Sequence, residues 1–274
     1  MQFQTPTIAS LIAAALGAAK VRLQLLLLLA LLCGICSSVI YGPALEVLNS
    51  FMAALEQADD TSGQGGEAFG ILEDGLSTLL FGHIATTAVA SFLIIPFARA
   101  SAPGDLVPAE GGALAFWTRG HRSFFHVLAA SGLTVLVALV LIQLLGAVVS
   151  VFGSFQNAVA VVVFCFIIWT GFAFTGIAHL AIAAEARDRR ETLMSAFRRG
   201  RFFLAPIAGS LALILLAMMF VNLLFGAFAT AITPSPLQDT VNMVVSGAIL
   251  YMVSALHVAA LYIVPDFRDL RPAD

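Results

Sequence analysis

Two histidines are the residues whose type and spacing could support chemistry inside this chain. His179 lies near the end of the fourth long apolar segment, and His257 lies in the last third of the sixth. Two imidazoles from separate helices could serve as the axial ligands of a b-type haem. A histidine in an apolar helix can equally be an interhelical hydrogen-bond partner, and we favour that interpretation. The prediction is therefore that no cofactor is bound.

The remaining motifs do not indicate a reaction. The sequence contains no HExxH, P-loop, GxSxG or dinucleotide-binding glycine pattern. Its long apolar segments contain no Asp or Glu that could relay protons or sodium ions. Cys33 and Cys36 have the CxxC spacing, but a helix would place both thiols on one apolar face without further ligands. We predict a non-enzymatic protein without a metal site.

The elements that must position the two histidines are six apolar segments. The chain is 60% hydrophobic and 11% charged, which departs strongly from soluble globular proteins. A helix of roughly 20 residues crosses the hydrocarbon core of a bilayer. The sequence predicts an all-α membrane protein, with residues 1–274 forming a single polytopic membrane domain. Its six predicted spans are 23–42, 77–98, 124–151, 158–184, 202–231 and 240–264.

All 13 Lys and Arg residues fall on one side of these spans. That side also holds 8 acidic residues, whereas the connections on the other side hold 8 acidic residues and no basic ones. Because Lys and Arg near span ends stay in the cytoplasm, we expect both termini there. The excess of Arg over Lys is typical of a GC-rich bacterium, so the expected location is a bacterial inner membrane. Basic residues at span ends do not form a nucleic-acid surface.

A repeated pattern indicates the internal organisation. AFWTRG at 115–120 and SAFRRG at 195–200 are 80 residues apart, and Gly146 and Gly226 keep the same separation. The simplest repeated unit is a short interfacial helix, an outgoing span and a returning span, used three times. The predicted helical hairpin units are about 5–99, 107–187 and 188–268.

Each unit is expected to begin with a helix in the plane of the cytoplasmic membrane surface. The predicted interfacial helices are 7–19, 110–120 and 189–200. In the third, apolar side chains share one face and arginines flank the other, as in helices that lie among lipid headgroups. We expect helix breaks near Gly120 and Gly200, because glycine tolerates the change of backbone direction.

The segments that lead into two of the spans are similar to those of a known group of proteins. SLIAAALGAAK (10–20) and TLMSAFRRGRFF (192–203) each directly precede a long apolar span. They resemble the membrane domains of bacterial glycerophosphodiester phosphodiesterases and related integral membrane proteins of unknown function. The resemblance implies a membrane domain in close contact with lipid. The phosphodiesterase domain itself has no counterpart here, so none of that enzyme's residues carries over.

Together these features favour a non-enzymatic accessory or assembly partner of a membrane complex. Its partners would be the lipid bilayer and another membrane protein. Two alternatives stay open. One is a carrier of lipid or another hydrophobic small molecule, which an internal cavity would favour. The other is a haem-binding redox subunit that uses His179 and His257.

Overall fold

The computed structural model describes residues 6–59, 65–102, 112–152, 156–232 and 235–264. In these ranges the chain forms α-helices, one short 3-10 helix and no strands, which confirms the predicted all-α class. The α-helices are α1 (Ile8–Val21), α2 (Leu23–Asp59), α3 (Gly65–Ser101), α4 (Gly112–Phe152), α5 (Gln156–Ala186), α6 (Leu193–Gly200), α7 (Leu204–Ile232) and α8 (Ser235–Ile263).

Six stretches of the described chain are long and apolar enough to cross a membrane. They follow the six predicted spans in order, so the chain is a multi-pass membrane protein. Their bounds are Leu23–Ala44, Glu73–Ser101, Gly112–Leu141, Val161–Ala186, Leu193–Phe228 and Leu237–Ile263. The side of the bundle that carries α1 and α6 is called the proximal side below, and the opposite side is called distal.

The two short helices, α1 and α6, begin with the same type of cap. The Thr7 hydroxyl accepts the Ser10 N–H at 3.1 Å, and the Ser10 hydroxyl oxygen accepts the Thr7 N–H at 3.0 Å. Thr192 and Ser195 repeat both bonds at 3.1 and 3.0 Å. Each pair satisfies two N–H groups that a helix start leaves unpaired. The spacing T-x-x-S therefore sets where both helices begin.

Separate short helices are found at two of the three segments predicted to be interfacial. α1 matches the predicted helix 7–19, and α6 matches the later part of 189–200. After Gly200 a 3-10 helix at Arg201–Phe203 leads into α7. Gly200 itself keeps right-handed helical angles, φ −78° and ψ −16°, so this change of helix type does not use the conformational freedom of glycine.

The second unit differs from the prediction. In 112–120, the described part of the predicted helix 110–120, no separate helix forms, because α4 continues without interruption through Gly120. A side chain at Gly120 would lie 2.1 Å from the ring of Phe92 in α3. The glycine therefore allows α4 to approach α3 closely and does not bend the chain. The predicted break near Gly120 is wrong.

α8 lies at the centre of the bundle and packs against α1, α2, α3, α5 and α7. Its proximal half, which includes Ala255 and Ala259, is buried. α4 and α7 instead expose large apolar side chains such as Leu136 and Phe220. Such faces suit lipid, which is as apolar as the side chains themselves.

The contact between α2 and α8 depends on glycine. A Cβ atom at Gly34 would lie 2.3 Å from the backbone oxygen of Val244. We expect Gly34→Ala to push the two helices apart and to lower the free energy of unfolding by about 1–3 kcal/mol. The readout is the melting temperature in detergent, measured by size exclusion after heating.

A matched control for this substitution lies on α4. Apart from the backbone of α4 itself, no described atom lies within 4 Å of the Cβ position at Gly132, so Gly132→Ala should leave the melting temperature close to that of the wild type. Equal melting temperatures for Gly34→Ala and Gly132→Ala would contradict a close α2–α8 contact.

Candidate functional site

The two histidines singled out from the sequence are in direct contact. His179 of α5 and His257 of α8 place their Nδ1 atoms 2.9 Å apart, with ring centroids separated by 5.2 Å. Both side chains are buried, with 2% and 0% of their surface exposed. The structure thus brings the pair together near the proximal end of the bundle.

This geometry does not fit a haem held between the two rings. Each metal–nitrogen bond to imidazole is about 2 Å long, so a metal between two nitrogens separates them by about 4 Å. A macrocycle would also have to lie between the imidazoles. At 2.9 Å the two Nδ1 atoms instead share a hydrogen bond. The arrangement is that of two interhelical hydrogen-bond partners.

The surroundings of His257 determine where the hydrogens lie. Its Nε2 atom is 3.1 Å from the backbone oxygen of Ile207 and 3.1 Å from the hydroxyl of Ser210. We assign a hydrogen to Nε2 of His257, because the nearby carbonyl oxygen can only accept. The Ser210 hydroxyl donates its own hydrogen to the Ile207 oxygen at 3.0 Å. This environment assigns the tautomer of His257.

The tautomer of His179 follows from that of His257. A neutral His257 with hydrogen on Nε2 presents a lone pair at Nδ1, so Nδ1 of His179 must donate the bond between them. A charge on either ring would be buried without a carboxylate in contact, which is costly. His179 is therefore left with a lone pair at Nε2.

His179 lines a cavity of about 610 Å³ that lies between α2, α3, α4, α5 and α8. Sites for small molecules typically have volumes of about 300–1,000 Å³. Apolar side chains such as Ile94, Val127 and Leu250 form much of its wall. Hydroxyl groups interrupt that wall on α2, α3, α5 and α8, and they belong to Ser37, Tyr41, Thr86, Thr87, Ser91, Thr175, Ser246, Tyr251 and Ser254.

The cavity is elongated along the membrane normal. On α8 its lining runs from Asp239 to Ser254, a distance of about 22 Å at the helical rise of about 1.5 Å per residue. Asp239 and His83 are exposed, so they mark a distal mouth. His179 marks the buried proximal end.

Several hydroxyls of the lining use their hydrogens on backbone carbonyls. Thr86 and Ser91 each donate to a carbonyl one turn earlier in α3, at 2.8 and 2.7 Å. Tyr251 of α8 donates to the backbone oxygen of Leu93 in α3 at 2.9 Å. Because these three hydroxyl groups have already donated their hydrogens, they can only accept a hydrogen bond from a further partner.

Reasoning from the sequence missed this cavity and the role of Ser210, although one signal was present. On α3, His83, Thr87 and Ser91 recur every four residues. Residues with that spacing share one face of a helix. A polar stripe on an otherwise apolar span indicates a face turned away from lipid, and α2 carries a similar series at Cys33 to Tyr41.

A second polar cluster lies on the proximal side, at the connection between α5 and α6. The Glu185 carboxylate is buried and contacts Arg122 of α4 at 3.3 Å. It also accepts the Glu191 N–H at 3.2 Å. His126 Nε2 lies 3.9 Å from the same carboxylate. These contacts join α5 to α4 and to the segment that leads into α6.

Asp188 extends this cluster toward α3. It adopts φ 60°, a left-handed conformation that Asp tolerates better than most residues. Its carboxylate contacts Arg119 of α4 at 2.5 Å and Arg99 of α3 at 3.3 Å. The turn thus gathers arginines from two neighbouring spans.

Three arginines cap the proximal ends of the returning helices. Arg22 donates to the backbone oxygen of Ala100 in α3 at 2.8 Å, and Arg99 donates to that of Ala186 in α5 at 2.9 Å. Arg187 donates to the last carbonyls of α8, including that of Leu261 at 2.8 Å. The last carbonyls of a helix lack internal partners and carry partial negative charge, so a cation is favoured there.

These features define an all-α, multi-pass membrane protein with an internal cavity. Comparison with protein families, with curated proteins and with solved structures gave no match. The suggested relation to phosphodiesterase membrane domains therefore stays a prediction. Among the residues that the structure describes, no group of three His, Cys, Asp or Glu side chains is placed to hold a metal ion.

Proposed function

We propose that this protein binds and carries a hydrophobic or amphipathic small molecule in the cavity between α2, α3, α4, α5 and α8. The observation that carries the proposal is the cavity of about 610 Å³, with a distal mouth and a buried proximal end. Protein interiors are close-packed, and voids larger than a water molecule are few. A space of this size inside a helical bundle is suited to an occupant.

The lining indicates the character of the occupant. Ile94, Val127 and Leu250 offer apolar contact along the cavity, and none of its described lining residues is Lys or Arg. Burial of an ion without a partner is costly. A largely apolar, uncharged body therefore fits the cavity best, and such molecules already concentrate in the surrounding bilayer.

The basic residues give the proposed orientation. Lys and Arg at the ends of spans are retained in the cytoplasm, and the described ones lie on the proximal side with α1 and α6. We place that side in the cytoplasm of a bacterium, with both termini, and the mouth at Asp239 toward the periplasm. The accessory role with a membrane-protein partner, and the absence of catalysis, stay predictions.

A substitution that fills the cavity tests the proposal. Ala90 of α3 lines the cavity, so the ring in Ala90→Phe would occupy the space of a ligand. We expect the protein purified in mild detergent to retain a hydrophobic molecule that mass spectrometry of an organic extract detects. Its amount per protein should fall roughly fivefold or more in Ala90→Phe, since overpacking costs about 1–3 kcal/mol.

The control places the same substitution on the lipid-facing surface. Ala217 of α7 is exposed and does not line the cavity, so Ala217→Phe should retain the molecule at the wild-type level. The melting temperature shows whether each variant is folded. Equal recovery from all three folded proteins, or no recovered molecule from any, would contradict the proposal.

A further inference from the structure

We infer that the cavity recognises a neutral hydrophobic molecule carrying a hydroxyl group, whose hydrogen is accepted by Nε2 of His179 at the proximal end. The inference rests on the proposed function and names the class of ligand. The observation that supports the inference is Nε2 of His179. This acceptor is already oriented and lies at the closed end of a largely apolar cavity.

The acceptor is free in the described structure. His179 lines the cavity, yet only 2% of its surface is exposed. Its Nδ1 atom is occupied by His257, which lies outside the lining. No other residue in the described part of the chain bonds to the His179 ring. Nε2 is the ring nitrogen left to face the cavity, so a ligand that brings a donor can complete its hydrogen bonding there.

The hydrogen-bond chain keeps this acceptor oriented. The Ile207 oxygen holds the hydrogen of His257 on Nε2, and His257 in turn holds the hydrogen of His179 on Nδ1. The ring of His179 cannot turn over without losing the 2.9 Å bond to His257. Its lone pair is thus fixed before a ligand binds, which lowers the entropic cost of binding.

The charges around the cavity distinguish a hydroxyl from other donors. An ammonium group at His179 would be far from Asp239, the carboxylate among the described lining residues. His179 contacts His257, which lies about 27 Å from Asp239 along α8 at the helical rise of about 1.5 Å per residue. A carboxylate would meet no Lys or Arg in the lining and would face the lone pair of His179. A neutral hydroxyl donates its hydrogen without bringing a charge into the cavity.

The test compares three probes with the same carbon chain. Tritiated hexadecan-1-ol is bound to the purified protein in detergent and is displaced by unlabelled hexadecan-1-ol, hexadecane or hexadecanoate. We expect the alcohol to displace the label roughly fivefold to tenfold more effectively than the alkane, as one net hydrogen bond allows. Hexadecanoate should be the weakest competitor.

Two substitutions assign the preference to Nε2 of His179. In His179→Phe a ring of similar size stays in place without the acceptor, so the alcohol and the alkane should compete equally. His179→Met provides a second apolar replacement should the phenyl ring prevent folding. In the control His257→Gln the amide oxygen can still accept from Nδ1 of His179, so the alcohol should keep its advantage.

The outcomes separate this inference from the proposed function. An unchanged advantage of the alcohol in folded His179→Phe and His179→Met would overturn the role of His179. Absent binding of hexadecan-1-ol, or equal competition by hexadecanoate, would overturn the hydroxyl class. The carrier proposal itself fails only when filling the cavity with Ala90→Phe leaves the extracted molecule unchanged or when the wild type retains none.

Discussion

Replacing Glu185 with alanine should destabilise the protein by about 2–4 kcal/mol, the largest effect we expect from a single substitution on the proximal side. Only 1% of the Glu185 surface is exposed. Its removal leaves Arg122 and the Glu191 N–H without their shared acceptor. The expected value lies toward the lower end of the range for broken buried pairs, because the Arg122 side chain stays 32% exposed to solvent.

The melting temperature in detergent is the measurement for this prediction. Glu185→Gln keeps an oxygen that can accept the Glu191 N–H but loses the charge opposite Arg122, so it should melt between the wild type and Glu185→Ala. Glu73→Ala is the control, since Glu73 is exposed at the distal end of α3. Indistinguishable melting of Glu185→Ala and Glu73→Ala would show that the cluster does not stabilise the fold.

The second large effect concerns the orientation of the protein in the membrane. In a background without Cys33, Cys36 and Cys165, a cysteine at Asp74 should react with an impermeant maleimide in intact cells. A cysteine at Arg190 should react only after the membrane is permeabilised. Both positions are exposed, and they lie on opposite sides of the bundle. The physical reason is that basic span ends stay in the cytoplasm.

The cysteines are placed at positions where a new side chain does not disturb the helix packing. Gly200 also lies on the proximal side, but a Cβ atom there would be 2.6 Å from the Ile177 side chain, so cysteine would disturb the fold. Arg190 avoids that contact. Labelling of both cysteines in intact cells, or labelling of Arg190→Cys alone, would rule out the proposed orientation.

The spans were predictable because their signal is local. Each is a continuous apolar stretch bounded by charged or turn-forming residues, and the helices follow those stretches in order. The prediction for Gly120 was wrong because the sequence does not show whether a glycine bends its helix or allows a side chain of another helix to pack closely against it. At Gly120 the glycine is needed for contact with the ring of Phe92 in α3, and the sequence does not show such a tertiary contact.

The site was only partly predictable for a related reason. The similar depth of His179 and His257 followed from their positions in two parallel spans. The partners of His257, Ile207 and Ser210 on α7, depend on how α7 and α8 are rotated about their axes. The spacing of polar residues shows which of them share a face, but the packing of non-adjacent spans determines which faces enclose the cavity.

The arginine caps have a consequence for how changes in this protein can be interpreted. Arg22, Arg99 and Arg187 are part of the charge pattern that we expect to fix orientation during insertion, and they also bind the ends of α3, α5 and α8. One neutralising substitution therefore removes a sorting signal and a tertiary bond at the same time. A low yield of such a variant could arise from chains inserted in the opposite membrane orientation or from correctly inserted chains that unfold. Only a side-specific label can separate the two fates.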